Sequence, residues 1–274
     1  MILQYITWNV NPEILPIGPL SLRWYGILFA SAFFLGYLIF KSIFKKEGYS
    51  IELLDQLTVY MAVGTVAGAR LGHVLFYDPA YYFANPLKIL AVWEGGLASH
   101  GAAIGILIAI YLFIRKNKLN FLWLMDRIVM VVALSGVCIR LGNLMNSEIF
   151  GIPTSLSWGF KFIRSSEFIN LRPENIPACH PTQIYEALCY LAIFLFLFWS
   201  YFKGSLYKSR GLAFGIFLVL LFSARFLIEY IKMPQVEFEK ALPLDMGQIL
   251  SIPFILAGLI LIVLAIKKQS KILA

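Results

Sequence analysis

Charge is scarce in this 274-residue sequence. Asp, Glu, Lys and Arg together make up 14% of it, roughly half the ~25% of an ordinary soluble domain. With 60% hydrophobic residues beside so few charges, the chain is excluded from the disordered class, which is apolar-poor and charge-rich. Cysteine is limited to three residues, an odd number that excludes a disulfide-stapled scaffold. Cys138 and Cys189 lie in apolar runs and read as small buried hydrophobes, while Cys179 lies in a polar loop beside His180. Histidine also numbers only three, and there is no HExxH or paired-cysteine spacing, so no metal centre is expected. Nucleophile-elbow, Walker and dinucleotide-binding glycine patterns are missing too, and no cofactor is expected. Residues 1–19 carry no cationic segment followed by an apolar run, so a cleavable signal is not expected.

What the sequence has is long apolar runs. A membrane-spanning helix needs about 20 mostly apolar residues. Seven segments qualify: Leu20–Phe44, Asp55–Phe76, Leu97–Ile114, Trp123–Asn146, Gln183–Tyr201, Leu212–Ile231 and Met246–Ile266. Residues 87–96 read as a short half-helix broken by Gly95-Gly96 and leading into the third span. The expected fold is therefore an all-α polytopic membrane protein, one catalytic domain over residues 1–274, with a Pro- and Ser-rich loop, residues 147–182, between spans four and five. Twelve of the 23 basic residues follow spans one, three, five and seven, among them Lys45, Lys46, Arg115, Lys116, Lys203 and Lys267. Basic loops stay cytoplasmic, which puts the N-terminus and the 147–182 loop outside and the C-terminus in the cytoplasm. The positive net charge of +8 is then mainly topological, and no nucleic-acid partner is expected.

The informative residues are the charges inside the spans, since ionisable groups in lipid are costly and mark function. At a rise of ~1.5 Å per residue, Arg140 lies about 20 Å above the inner end of span four. Arg225 on span six, His100 on span three and Arg70 on span two each lie about 22 Å up. Arg23 and Tyr25 open span one from outside, and Glu186 opens span five. These groups share one depth in the outer third of a ~30 Å core. An ion path spreads its polar groups through the depth; this set is a layer rich in guanidinium, the natural partner of phosphate. The ligand expected at this layer is an anionic group at the outer headgroup level. Gly136, Arg140, Asn143 and Ser147 share one helical face, with Glu148 close by. Arg225 and Glu229 are spaced to pair at i, i+4. Arg23 reads as a snorkelling anchor, and Gly105, Gly215 and Gly258 as sites of close helix packing.

Residues 140–151, Arg-Leu-Gly-Asn-Leu-Met-Asn-Ser-Glu-Ile-Phe-Gly, resemble the signature of the prolipoprotein diacylglyceryl transferases, G-R-x-G-N-F-x-N-x-E-x-x-G. Arg140, Gly142, Asn143, Asn146, Glu148 and Gly151 match it; Ile139 replaces its first Gly and Leu144 its Phe. Leu22–Gly26, Gly68–Gly72 with Phe76-Tyr77, Gly95–Gly101, His180–Glu186, Arg225–Glu229 and Gly247–Ser251 are similar to further family motifs, in order along the chain. The family usually carries a Tyr four residues before the span-six Arg, where this sequence has Leu221. The resemblance implies transfer of the sn-1,2-diacylglyceryl group of phosphatidylglycerol to the lipobox cysteine of a prolipoprotein. Glycerol 1-phosphate leaves, and the location implied is the bacterial cytoplasmic (inner) membrane, facing its outer leaflet. In this chemistry Arg140 and Arg225 hold the phosphate and His100 takes the thiol proton. Asn143 and Glu148 orient the headgroup or Arg140, and Tyr25, Asn146, Gly151, Glu186 and Glu229 complete the binding set. The alternative class is an anionic-lipid transporter or flippase. It requires polar residues continuing inward, where residues 106–114, 191–198 and 255–266 are nearly all apolar.

Overall fold

A computed structural model describes residues 5–17, 20–204, 206–234 and 243–273. In chain order it contains strands β1 (Ile6–Trp8), β2 (Glu13–Ile17) and β3 (Leu20–Arg23), then helices α1 (Trp24–Glu47), α2 (Ile51–Phe76), α3 (Pro79–Ala84), α4 (Ser99–Asn117) and α5 (Phe121–Met145). Strand β4 (Phe160–Phe162) and helices α6 (Thr182–Lys203), α7 (Leu212–Glu229) and α8 (Met246–Leu273) follow. Seven of these helices, all but α3, are long and apolar enough to cross a bilayer. Many of their large side chains point outward, among them Phe34, Val63, Leu195 and Ile260; an exterior this apolar is stable only against lipid.

Each expected span is present, and the departures are local. Residues 20–23 are a strand, because β3 pairs antiparallel with β2 before α1 begins at Trp24. Arg23 is an exposed strand residue that donates to Glu13 at 2.8 Å and holds its carboxyl below the usual range. Residues 79–98 hold the short helix α3 and two single 3₁₀ turns, Pro86–Leu90 and Val92–Glu94, in place of one half-helix.

The chain divides into two compact units. One comprises Met1–Gly36 with Met125–Ala274, and the other Tyr37–Leu124. In the second, α2 and α4 pack along their glycines. A Cβ placed on Gly68 would fall within 3 Å of the Gly105 backbone, and one on Gly72 within 3 Å of Gly101. Such contact between helix backbones replaces hydrophobic drive in lipid, where tails are as apolar as leucine. Ser50 caps α2 by accepting from the Leu53 amide at 3.2 Å.

In the first unit, Gly215 on α7 meets Gly258 on α8 in the same way. The start of α7 is capped from a different helix. Asp126 on α5, fully buried, accepts from the Gly211 amide at 2.7 Å and the Phe214 amide at 2.9 Å. These donors have no partner inside their own helix, and the carboxylate also meets the positive end of the α7 dipole. Asp126→Ala leaves both amides bare and should lower stability by about 2–4 kcal/mol, read as a fall in thermal midpoint in detergent; Asp126→Asn, with one acceptor oxygen, should fall between.

Residues 147–182 form a packed body. Strand β4 pairs in parallel with β1. Phe150, Phe160, Phe162, Phe168, Ile176 and Cys179 make a hydrophobic core with Leu144 from the end of α5. Phe150 and Phe162 stack with centroids 4.7 Å apart, and the Trp8 indole donates to the Leu144 carbonyl at 2.9 Å. The segment that leaves α5 is thus held rigidly where it passes the polar residues described next.

Candidate active site

Arg140 projects from α5 in the first unit and is only 12% exposed. Its Nε lies 2.9 Å from Glu186 Oε2 on α6. Its Nη1 donates to Asn143 Oδ1 at 3.2 Å, and Asn143 Nδ2 donates to Glu148 Oε1 at 2.8 Å. Asn146 Nδ2 reaches the same oxygen at 3.2 Å. One edge of the guanidinium is therefore fixed by a carboxylate and an adjoining nitrogen by an amide. Nη2 is claimed by no carboxylate among the described residues. A planar cation whose Nε and Nη1 are oriented by a carboxylate and an amide suits bidentate binding of a phosphate or carboxylate.

Glu186 is fully buried, and two further groups meet it. Lys232 Nζ approaches its Oε1 at 3.3 Å, and the Tyr190 hydroxyl donates to the same oxygen at 3.3 Å. Lys232 also pairs with Glu229 at 3.3 Å. The result is a buried row of alternating charge, Arg140–Glu186–Lys232–Glu229, that sums to zero, the arrangement a low-dielectric site requires. Here the sequence expectation is corrected. Glu229 pairs with Lys232, not with Arg225 four residues earlier. Helix α7 ends at Glu229, and the turn after it brings Lys232 back beneath the carboxylate. Arg225 is half-buried and makes no ion pair among the described residues.

Gly151 and the residues before it explain how Lys232 arrives there. Gly151 donates to the His180 carbonyl at 2.8 Å, and Ile152 to the Ile231 carbonyl at 2.9 Å. Gly151 also bridges Lys232 in antiparallel fashion. A Cβ on Gly151 would strike the Ile231 carbonyl and come within 2.7 Å of His180 Cβ. Gly151 thus builds the site through three-strand proximity. Immediately before it, Ser147 and Ile149 have φ of 55° and 59°. The left-handed region costs a β-branched residue of order 1–3 kcal/mol and persists only where its surroundings impose it. Those surroundings are visible: Gln183 donates to the Glu148 carbonyl at 2.7 Å and Thr182 to the Ile149 carbonyl at 3.1 Å. The first turn of α6 therefore holds the strained turn that aims Glu148. Tyr25, at the start of α1, lays its ring on Gly142, where a Cβ would stand 2.7 Å from its Cδ2.

Sequence reasoning missed Lys232, Tyr190 and Gln183. Tyr190 follows Glu186 by four residues, a helical spacing that could have revealed it. Lys232 is 46 positions from Glu186 in sequence, and no periodicity signals such a pair. Cys179, beside His180, is fully buried, and burial pushes its thiol up to about 11, far from the thiolate an activated cysteine needs.

His100 lies in the second unit, one residue inside the start of α4, and is exposed. Its ring stacks on Tyr77 with centroids 5.8 Å apart and meets Phe76 edge-on at 5.3 Å. Tyr77 in turn stacks on His73 at 5.3 Å. The His100 ring nitrogens have no hydrogen-bond partner among the described residues, so an accessible nitrogen is available to accept or carry a proton. Arg70, expected in the anion-binding layer, is buried and makes all its hydrogen bonds to backbone carbonyls; it does not present a charge to a ligand.

Fold and site together define a multi-pass membrane protein with a buried, charge-balanced arginine centre fit for an anion. The family model of the prolipoprotein diacylglyceryl transferases matches residues 12–264. The chain is 50% identical over 270 residues to the phosphatidylglycerol–prolipoprotein diacylglyceryl transferase of Porphyromonas gingivalis, covering 96% of this chain and 95% of that one. Similarity to the protein of the same name from Tolumonas auensis is 48% over 265 residues, 96% of this chain and 99% of that one. For the Chloroherpeton thalassium protein of that name it is 44% over 266 residues, 97% and 96% of the two chains. The chain belongs to the prolipoprotein diacylglyceryl transferase family.

Proposed function

We propose that this protein transfers the diacylglyceryl group of phosphatidylglycerol to the lipobox cysteine of a prolipoprotein. The observation that carries the reading is Arg140, fixed through Nε by Glu186 and through Nη1 by Asn143, inside a family whose named members act on this lipid. The substrate thiol loses its proton to His100, since the thiolate is the nucleophile. The thiolate attacks the glycerol carbon that bears the phosphate, a C–S bond forms, and the C–O bond to phosphate breaks in line. Arg140 and Arg225 hold the phosphate as charge collects on the leaving oxygen. Glycerol 1-phosphate departs, and the proton held by His100 can return to it. The site belongs to the outer leaflet of the bacterial cytoplasmic membrane, with the N-terminus outside. The support for that orientation is the basic last turns of α1, α4 and α6, with Lys45 and Lys46, Arg115 and Lys116, and Lys203.

The purified protein, given phosphatidylglycerol and a synthetic lipobox peptide, should add one diacylglyceryl group to the peptide's cysteine, detected by mass. Retention of the lipid with no mass gain would return the weight to lipid transport. His100→Gln should lower kcat by about 10²–10⁴-fold, the usual contribution of a positioned general base. An unchanged kcat would assign the base elsewhere.

A further inference from the structure

Arg70 on α2 is 3% exposed, and its guanidinium is filled by main-chain oxygens. Nε donates to the Ile89 carbonyl at 2.9 Å, Nη2 to Lys88, and Nη1 to Gly95 and Gly96. Its carbon lies 4.9 Å from the centre of the Tyr82 ring. Four carbonyls from two sides of the segment between α3 and α4 thus converge on one fork. Lys88 and Ile89 lie in the last turn of the 3₁₀ segment Pro86–Leu90, where the carbonyl ends of the peptide dipoles collect negative charge. Gly95 and Gly96 have φ of 88° and 69°, a backbone path that turns both of their carbonyls inward. A Cβ on Gly96 would lie 2.8 Å from Arg70 Nη1 and 2.7 Å from the His73 ring, so only glycine admits the fork. Two residues on, the Ala98 amide donates to the Ala69 carbonyl at 2.9 Å, next to Arg70 in the chain. Helix α4 then begins at Ser99-His100. Phe76, the last residue of the same helix α2, and Tyr77 just after it have rings that hold the His100 ring.

We propose that Arg70 is a positioning residue: its four-carbonyl clamp sets the start of α4 and so the place of His100. The inference rests on the reading of His100 as the group that takes the thiol proton. Lysine at this position keeps the charge but cannot span carbonyls on both sides of the segment, because its single ammonium lacks the planar fork. The segment then loosens, and a reacting group displaced by about 1 Å loses on the order of 10²-fold in rate. Lipid binding is left alone, because the hydrogen bonds of the Arg70 guanidinium all go to backbone carbonyls.

The test compares wild type, Arg70→Lys and Arg70→Gln as full-length protein in phosphatidylglycerol-containing micelles with a lipobox peptide. In both variants kcat should fall by about 10- to 100-fold, with KM for phosphatidylglycerol within about twofold. Amide exchange over residues 88–101 should speed up, while exchange over 106–114 stays at the wild-type rate, showing that α4 itself is folded. Unchanged exchange over 88–101 would overturn the clamp. A raised KM with kcat preserved would overturn it in favour of direct lipid contact, and faster exchange with wild-type kcat would overturn the link to His100. His100→Gln, assayed alongside, separates the two readings: full activity there defeats the base assignment, whereas the exchange data judge the clamp independently.

Discussion

Replacing Arg140 by lysine should lower kcat by about two orders of magnitude, close to 2.7 kcal/mol of lost transition-state stabilisation. The reason lies in the geometry of the fork. Arg140 pairs its Nε with Glu186 and donates Nη1 to Asn143, which fixes the plane of the fork toward a phosphate. A lysine ammonium is a point charge with three hydrogens on a flexible stem. Beside a fully buried carboxylate it settles on Glu186, completing that pair at the expense of the ligand. The loss should fall mainly on kcat, because the charge on the leaving phosphate oxygen grows only in the transition state. Full turnover in Arg140→Lys would show that bidentate holding is not used.

Loss of Glu186 should be the most damaging single change to the fold. It is 0% exposed and stands between Arg140 and Lys232. Glu186→Ala leaves a surplus buried positive charge; breaking one partner of a buried pair costs about 3–5 kcal/mol, enough to erase much of the stability of a typical domain. The expected result is a protein that accumulates poorly and unfolds at markedly lower temperature in detergent. Glu186→Gln combined with Lys232→Met removes one charge of each sign and keeps approximate shape. It should recover most of the thermal midpoint lost in Glu186→Gln alone but not the activity, since Arg140 has lost the carboxylate that aims it. Equal midpoints for the single and double variants would contradict the charge-balanced row.

Much of this was legible in the sequence, and the failures have physical causes. Apolar run length recovers all seven spans because lipid demands helices of nearly fixed length. The first span starts at Trp24 and not at Leu20 because local strand pairing with β2 overrides apolar character. Helical rise placed Arg140 and Arg70 at similar depth, but depth along an axis does not say what a side chain faces. Arg140 faces carboxylate and amide groups of a site. Arg70 faces carbonyls of residues 88–96, a segment with no period to announce where its oxygens point. Glu229 was read as the partner of Arg225 because i, i+4 spacing presumes a continuing helix; α7 stops at Glu229 and Lys232 takes the carboxylate. Gly151 looked like part of the binding set from the signature. Its place among three adjoining backbones shows a structural reason for glycine that only tertiary contact reveals.

The central claim is that the Arg140-centred site drives transfer by holding the leaving phosphate. It is tested most directly with headgroup-labelled phosphatidylglycerol and a lipobox peptide, following the peptide's mass and the release of labelled glycerol phosphate in one reaction. The wild-type protein should release one glycerol phosphate for each diacylglyceryl group gained by the peptide, and Arg140→Ala, assayed at an equal amount of folded protein, should do neither. Peptide modification by Arg140→Ala at the wild-type rate, or lipid turnover uncoupled from the peptide, would contradict it.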